Sequence, residues 1–354
     1  MPHSILAAYN FNKPGVKLKP FGSGLINNTW KVVDSGKEYI LQRIKHSVFK
    51  QPENIENYIK KVAAYLKKNH PEYNFCAPLP SLVGDEMVYR EEEGYFRMFP
   101  FVAVSHTNDV VETVEQAYEA ARQFGRFTRL LSGIKLDELK ITIPDFHNLS
   151  LRYQQFIDAL ETGDKTRIQE CGKIILALKN FNGIVKEYEK LKSDPAFKLR
   201  VTHHDTKISN VLFDDKDKGL CVIDLDTMMP GYFISDIGDM MRTYLCPVSE
   251  EEADFSKIEI REDFYHAIVN GYYSEMKNEL TSTEINHFFY AGKYMIYMQS
   301  LRFITDYLNN DSYYGAKYST QNKVRGENQL ILLQKLVAKE EQLDSKNILQ
   351  EKMV

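Results

Sequence analysis

The segment His203-His204-Asp205-Thr206-Lys207-Ile208-Ser209-Asn210 sets a carboxylate and an amide behind a histidine with the His-x-Asp-x₄-Asn spacing of a phosphoryl-transfer loop. Val211-Leu212-Phe213 then leads into a turn rich in Asp, Lys and Gly. Leu220-Cys221-Val222-Ile223 returns as an apolar strand ending on Asp224-Leu225-Asp226. Two carboxylates and an amide are thus expected to face one another across a hairpin. Phosphoryl transfer asks for such groups because positioning and charge neutralisation, rather than covalent work by the protein, supply most of its rate. In this reading Asp205 accepts the proton of an attacking hydroxyl, and Asn210 and Asp224 hold Mg²⁺ through hard oxygen atoms against the phosphates of ATP. His203 belongs to the same catalytic set and braces the loop rather than reacting. Two readings stay open for Asp226, a second metal contact or a cap of the next turn. Asp236 is expected to reach back to backbone N–H groups of the loop.

A phosphate donor needs a second set of groups, and the first hundred residues offer one. Phe21-Gly22-Ser23-Gly24-Leu25-Ile26-Asn27-Asn28-Thr29 is a glycine-bearing turn between two strand-like runs, where missing side chains let backbone N–H groups approach phosphate. Gly22, Ser23, Gly24, Asn27 and Thr29 are its candidate nucleotide contacts. The next strand, Tyr39-Ile40-Leu41-Gln42-Arg43-Ile44, carries Arg43 as the expected phosphate cation, with Glu56 or Glu53 as counter-ion. Strand parity decides whether Gln42 or Arg43 points inward, and a one-residue slip reverses the answer. Backbone groups around Phe101, at the exit of a hairpin, are expected to meet adenine.

Behind these groups the chain changes character once. Strand-like runs cover Val16 to Pro20, Thr29 to Val33, Glu38 to Ile44, Met87 to Arg90 and Tyr95 to Phe101, with one amphipathic helix from Ile55 to Lys68 among them. From Thr113, where Gln116 completes a capping box, the pattern turns helical: an apolar stripe to Gly133, then Leu149 to Glu161, Thr166 to Leu191, Glu262 to Glu279 and Ser282 to Leu308. The expected architecture is α+β and bilobal, a small β-rich N-lobe over residues 1–102 for ATP and a larger helical C-lobe over residues 103–354 for catalytic loop, metal and acceptor. A length of 354 residues also favours two lobes over one core. Forty-five basic against 49 acidic residues, a net charge of −4, withhold the electrostatic footing of a nucleic-acid binder. No apolar run reaches membrane-spanning length, the opening MPHSILAAYNFNKPG lacks a secretory pattern, and the four cysteines show no metal spacing. A cytoplasmic protein with small-molecule partners is expected.

Together, His203-x-Asp205-x₄-Asn210 and Ile223-Asp224-Leu225-Asp226 resemble the aminoglycoside phosphotransferase and choline kinase family over most of the chain. More narrowly, Gly22-Ser23-Gly24-Leu25-Ile26-Asn27-Asn28-Thr29, Tyr39 to Ile44, His203 to Lys207 and Leu301-Arg302-Phe303-Ile304-Thr305-Asp306-Tyr307-Leu308 are similar to the N-acetylhexosamine 1-kinases. That resemblance implies a protein-kinase-like fold, ATP and Mg²⁺, and phosphorylation of the anomeric hydroxyl of GlcNAc or GalNAc. It also implies an amino-sugar site of Asp205, Arg302 and Tyr313. A neutral sugar with an acetamido group asks for planar donors and an aromatic wall, and Tyr307, Tyr313, Tyr314 and Tyr318 accompany Arg302 and Arg325, as wall or as filling. His147 and Asn148 line the pocket or form a helix-entry turn. Asp-Phe-Gly and Ala-Pro-Glu triplets are absent, which argues against a protein acceptor. The rivals are kinases for homoserine, choline or another sugar, and a nucleotide-binding pseudokinase.

Overall fold

The computed structural model describes residues 3–11, 14–22, 27–45 and 51–343. Contacts divide the chain into two compact units. The first is Met1–Thr107 with Leu130–Pro144 and Val211–Pro230; the second is Asn108–Arg129 with Asp145–Asn210 and Gly231–Val354. The sequence reading divides the chain once, after residue 102. The contact units divide it more often, because a later hairpin bonds to the end of the first sheet segment. His106 and Phe213 exchange both backbone hydrogen bonds at 2.9 Å.

The first unit is built on five antiparallel strands: β1 (Lys17–Pro20), β2 (Asn28–Asp34), β3 (Lys37–Ile44), β4 (Val88–Arg90) and β5 (Gly94–Pro100), in the order β1-β2-β3-β5-β4. Alternation sets the faces. Leu18, Val32, Leu41, Phe96 and Met98 point into one core with Ile5, Leu6, Tyr9 and Phe11. Gln42 stands opposite Thr29 on β2 and Arg97 on β5. The helix α1 (Pro52–Asn69) buries Ile55, Ile59, Val62 and Leu66. Pro52 and Glu53 begin it and Lys67 and Lys68 end it, as the unpaired N–H groups and the helix dipole favour. A second hairpin, β6 (Val211–Phe213) and β7 (Gly219–Val222), pairs Val211 with Val222.

The second unit is helical. In α2 (Val114–Leu130) the capping box forms, with Thr113 Oγ1 accepting from Gln116 N–H at 3.2 Å and Gln116 Oε1 accepting from Thr113 N–H at 3.3 Å. Then come α3 (Leu149–Thr162), three shorter helices over residues 165–193, α4 (Phe233–Tyr244), α5 (Glu262–Met276), α6 (Phe288–Leu308) and α7 (Gln321–Val337). The breaks within 165–193 fall at Cys171 and at Phe181 and Asn182, where the expected single helix is interrupted. Apolar nearly all round, α6 is the central helix of this unit. It packs against α4 so closely that a Cβ on Gly238 would lie 2.4 Å from the Ala291 carbonyl oxygen. Periodicity marks no helix at α7 because Gln321, Asn322, Asn328 and Gln329 are buried polar residues there. Among the described residues, no helix is long and apolar enough to cross a membrane.

Candidate active site

In the second unit the loop at 203–210, expected to be catalytic, hangs from the first turns of α4. Asp236 accepts from the backbone N–H of His203 through Oδ2 at 3.0 Å and from that of His204 through Oδ1 at 2.8 Å. One turn on, Asp239 accepts from Thr206 N–H at 2.8 Å, and the Tyr244 hydroxyl donates to the Thr206 carbonyl at 2.6 Å. Burial pushes the Asp236 carboxyl up to about 6, against the pull of His203 and of the two N–H donors. His203 is fully buried, edge-on to Phe124 and Phe127, with Nδ1 accepting from Asp205 N–H at 3.4 Å. Its place is that of a brace. His204 holds φ at +66°, a left-handed backbone that is costly for a side chain of this size. A Cβ on Gly231 would lie 2.4 Å from the His204 ring, so only glycine leaves room for it.

Asp205 is partly exposed and lies 3.2 Å from the Lys207 ammonium. Lys207 loses solvation but gains Asp205 and Asp239, and its ammonium is held above its ordinary value. Asn210 is buried, and its Nδ2 donates to the Asp205 carbonyl at 2.8 Å, which leaves Oδ1 as the acceptor end. A second layer of charge lies behind the loop. Arg242 donates to Asp239 at 2.9 and 3.0 Å and to Glu250 at 2.7 Å.

The same unit gathers the expected acceptor residues. The guanidinium carbon of Arg302 lies 5.6, 5.8 and 5.4 Å from the ring centres of Phe146, Tyr313 and Tyr314. Phe146 stacks on His147 at 4.3 Å, and the His147 and His204 rings meet at 5.2 Å. His204 Nδ1 lies 2.7 Å from Ser235 Oγ, which His147 Nδ1 also contacts. A continuous row of rings therefore runs from the catalytic loop to Arg302. Burial, and then the neighbouring His204, Arg302, Arg242 and Arg152, hold His147 well below its ordinary value, so it is neutral at pH 7. Asn148 instead caps α3, accepting from Leu151 N–H at 3.3 Å. Tyr313 is 70% exposed, whereas Tyr314 is half-buried, so Tyr314 is the more enclosed wall of the two.

In the first unit the expected clamp has a different composition. Arg43 is exposed on β3, and its neighbour Gln42 faces inward. Gln42 Oε1 accepts from Arg97 Nε at 2.9 Å and from Nη2 at 2.5 Å. Arg97 Nη1 lies 2.5 Å from Asp226 Oδ1, both side chains being 2% exposed. Of the two expected counter-ions, Glu56 accepts from the N–H groups of Glu86 and Met87 at 3.0 and 3.1 Å, and Glu53 accepts from the Tyr95 hydroxyl at 2.6 Å. Asp226 Oδ2 accepts from Asn27 Nδ2 at 2.9 Å. Asp226 is thus an ion-pair partner, a reading not among the two the sequence left open.

Asp224 has φ 58° and ψ 62°, left-handed, and opens a short 3₁₀ turn over Leu225–Thr227. Gly22 has φ +77°, and Ser23 and Gly24 lie outside the described residues. Thr29 is on β2. Phe101 meets Phe21 edge-on at 6.1 Å, with the Lys31 ammonium 4.1 Å from its ring centre. Neither Arg97 nor Lys207 was singled out from the sequence. Register carries the signal for the first, and its place two residues after Asp205 carries it for the second.

Of the two residues expected to hold a divalent cation, Asn210 offers an amide oxygen and Asp224 a carboxylate, both hard ligands by chemistry. No cluster of three or more His, Cys, Asp or Glu residues able to hold a metal occurs among the described residues. Such a cation would therefore take its remaining ligands from phosphate and water. In overall structure the chain is similar to an aminoglycoside phosphotransferase from Alicyclobacillus acidocaldarius, at 13% identity over 97% of each chain with a TM-score of 0.64. It is also similar to a microcompartment-associated aminopropanol kinase, at 16% identity over 96% of this chain and 97% of that one with a TM-score of 0.66. An amicoumacin kinase solved with AMP-PNP and Ca²⁺ matches at 16% identity over 93% and 96% with a TM-score of 0.58. At these identities the likeness speaks to the kinase-like fold. Residues 17–272 match the sequence pattern of the phosphotransferase enzyme family, from the first strand to the end of the α5 region, and the chain belongs to that family.

Proposed function

We propose that the chain transfers the γ-phosphoryl group of ATP to the anomeric hydroxyl of an N-acetylhexosamine, giving the sugar 1-phosphate. The Arg302 cluster carries the acceptor assignment. Three aromatic rings of the kind that would enclose a quaternary ammonium already surround a guanidinium. A fixed cation there repels choline and protonated amino alcohols. It offers planar donors to hydroxyl and acetamide oxygens, with ring faces for the apolar side of a pyranose.

In this reading Asp205 takes the proton of the anomeric hydroxyl as its oxygen bonds to the γ-phosphorus and the bond to the ADP oxygen breaks. Tethered through its backbone to α4, the loop presents the Asp205 carboxylate in a defined direction. Lys207 offsets the negative charge of Asp205 and of phosphate beside it. Asn210 and Asp224 would hold Mg²⁺, which when bound neutralises phosphate charge. The intact carboxylate, amide and metal-loop set favours catalysis over a nucleotide-binding pseudokinase.

The test is ADP release with Mg²⁺-ATP across GlcNAc, GalNAc, ManNAc, glucose, galactose, choline and homoserine, with phosphorus NMR locating the new phosphate. An anomeric phosphate on GlcNAc or GalNAc is expected. Turnover of choline or homoserine in preference to every N-acetylhexosamine would discard the sugar while keeping the kinase. Nucleotide binding with no turnover on the panel would favour the pseudokinase.

A further inference from the structure

Arg97 is buried within the first unit: Nε and Nη2 donate to Gln42, Nη1 is in ion-pair contact with Asp226, and the guanidinium carbon lies 5.1 Å from the ring centre of Phe99. The register of β3 against β5 sets Gln42 directly opposite Arg97, so this pairing is a property of the sheet. The other Asp226 oxygen belongs to Asn27, whose own Oδ1 accepts from Lys45 N–H at 3.1 Å. One carboxylate therefore joins the start of β2, the end of β3 and the middle of β5. With both oxygens engaged and a guanidinium 2.5 Å away, Asp226 is a poor ligand for a divalent cation. Its neighbour two residues earlier, Asp224, holds a left-handed backbone, and such conformations persist only where the surroundings over-determine them.

We propose that Arg97 and Asn27 are positioning residues for the nucleotide's metal: by holding both oxygens of Asp226 they fix the turn from which Asp224 presents its carboxylate. The proposal rests on the reading of Asp224 as a metal ligand. It moves the cation of the small unit from a phosphate-touching strand residue to an internal clasp that acts through the metal loop. Asn27 immediately precedes β2, so the same clasp ties the start of that strand to the Asp226 turn.

The experiment is calorimetric titration of the full chain, without acceptor, using Mg²⁺-AMP-PNP and, separately, ADP in excess EDTA. Wild type is compared with Asn27→Ala, Asp226→Asn, Arg97→Met and, as reference, Asp224→Asn. Partners that orient metal ligands are worth about 10- to 100-fold in metal affinity. Asn27→Ala and Asp226→Asn are accordingly expected to weaken Mg²⁺-AMP-PNP binding about 10-fold or more while moving metal-free ADP by less than about 3-fold. Arg97→Met, where near-ultraviolet circular dichroism shows it folded, should match them. Wild-type Mg²⁺-AMP-PNP affinity in both Asn27→Ala and Asp226→Asn overturns the proposal, as does an equal loss with and without Mg²⁺, the mark of a purely structural clasp. Tighter Mg²⁺-dependent binding in Arg97→Met overturns it in favour of Asp226 as a metal ligand freed by the change. A wild-type chain that binds neither nucleotide form removes the kinase reading itself.

Discussion

The loop at 203–210, proposed to be catalytic, and the turn at 224–226, proposed to hold the metal, are close in the chain but are anchored by different kinds of contact. Loop 203–210 is held by its backbone. N–H groups of His203, His204 and Thr206 donate to two aspartates one turn apart on α4, and Asn210 closes the loop on the Asp205 carbonyl. The turn at Asp224 to Asp226 is held largely by side chains: one carboxylate of the turn, the guanidinium and one amide from two strands, and a second amide from the residue before β2. Backbone anchorage leaves the Asp205 side chain to the solvent side of its loop and tolerates changes in loop composition. Side-chain anchorage depends on strand register, because a one-residue slip of β3 or β5 would separate Gln42 from Arg97.

Five substitutions, with one change of pH, would break or sharpen this contrast. Asp205→Asn should lower kcat by about 10²- to 10⁴-fold, the range of a general base, with nucleotide affinity nearly unchanged in a binding titration. Comparable turnover would take the base assignment away. Arg97→Met strands a carboxylate in the core and should cost about 3–5 kcal/mol in urea denaturation, as loss of one partner of a buried pair does. A cost below about 1 kcal/mol would mean that Asp226 relaxes into water.

Asp236→Asn keeps the shape of the other anchor but accepts through one oxygen only, for an expected loss of about 2–3 kcal/mol. Its pH dependence has a definite sign. Because the folded-state carboxyl is raised from 3.8 to about 6, its contribution is fully present below the unfolded value and is lost as pH rises through the folded one. The stability advantage of wild type over the Asn variant should therefore shrink between about pH 4 and about pH 6 and then level off, read from denaturation curves at each pH. An advantage that grows over that window would contradict the raised value. Arg302→Ala should raise the sugar KM about 10-fold or more with a smaller effect on kcat, and an unchanged KM would remove it from the acceptor site. Arg43→Ala marks the floor. An exposed strand cation should change stability by less than about 0.5 kcal/mol, whereas a large loss of ATP affinity would restore Arg43 as the phosphate cation.

The two anchors also differ in how far the residue order reveals them. Asp236 lies in the first turn of a helix after the loop, and its return to the loop N–H groups is readable from the habit of short carboxylates of bonding nearby backbone. The strands of the small unit and the stripes of α1 and α2 are equally readable, since each buries one face at a regular period. Arg97 carries no such mark. Inside a strand its neighbours Phe96, Met98 and Phe99 suggest an edge with one snorkelling cation, and only the pairing across β3 and the Asp226 turn turns it inward. For the same reason α7 escapes periodicity. Its first half buries amides whose partners lie elsewhere, such as Asn322 on Asp306 and Asp311, and Asn328 on the carbonyls of Ser249 and Glu252, ahead of the buried leucines of its second half.

By itself the amino-acid sequence determined the α+β plan and the order of the segments proposed for nucleotide, proton transfer and metal, with the residue types that phosphoryl transfer needs, because spacing and periodicity are local properties of a chain. Tertiary structure alone decided which cation is buried, that Asp226 belongs to an ion pair, and that Arg302 fills its own ring of aromatics. Those are choices of partner among residues far apart in the chain. They are settled by strand register and by the cost of leaving a buried charge unpaired, neither of which is written at any single position.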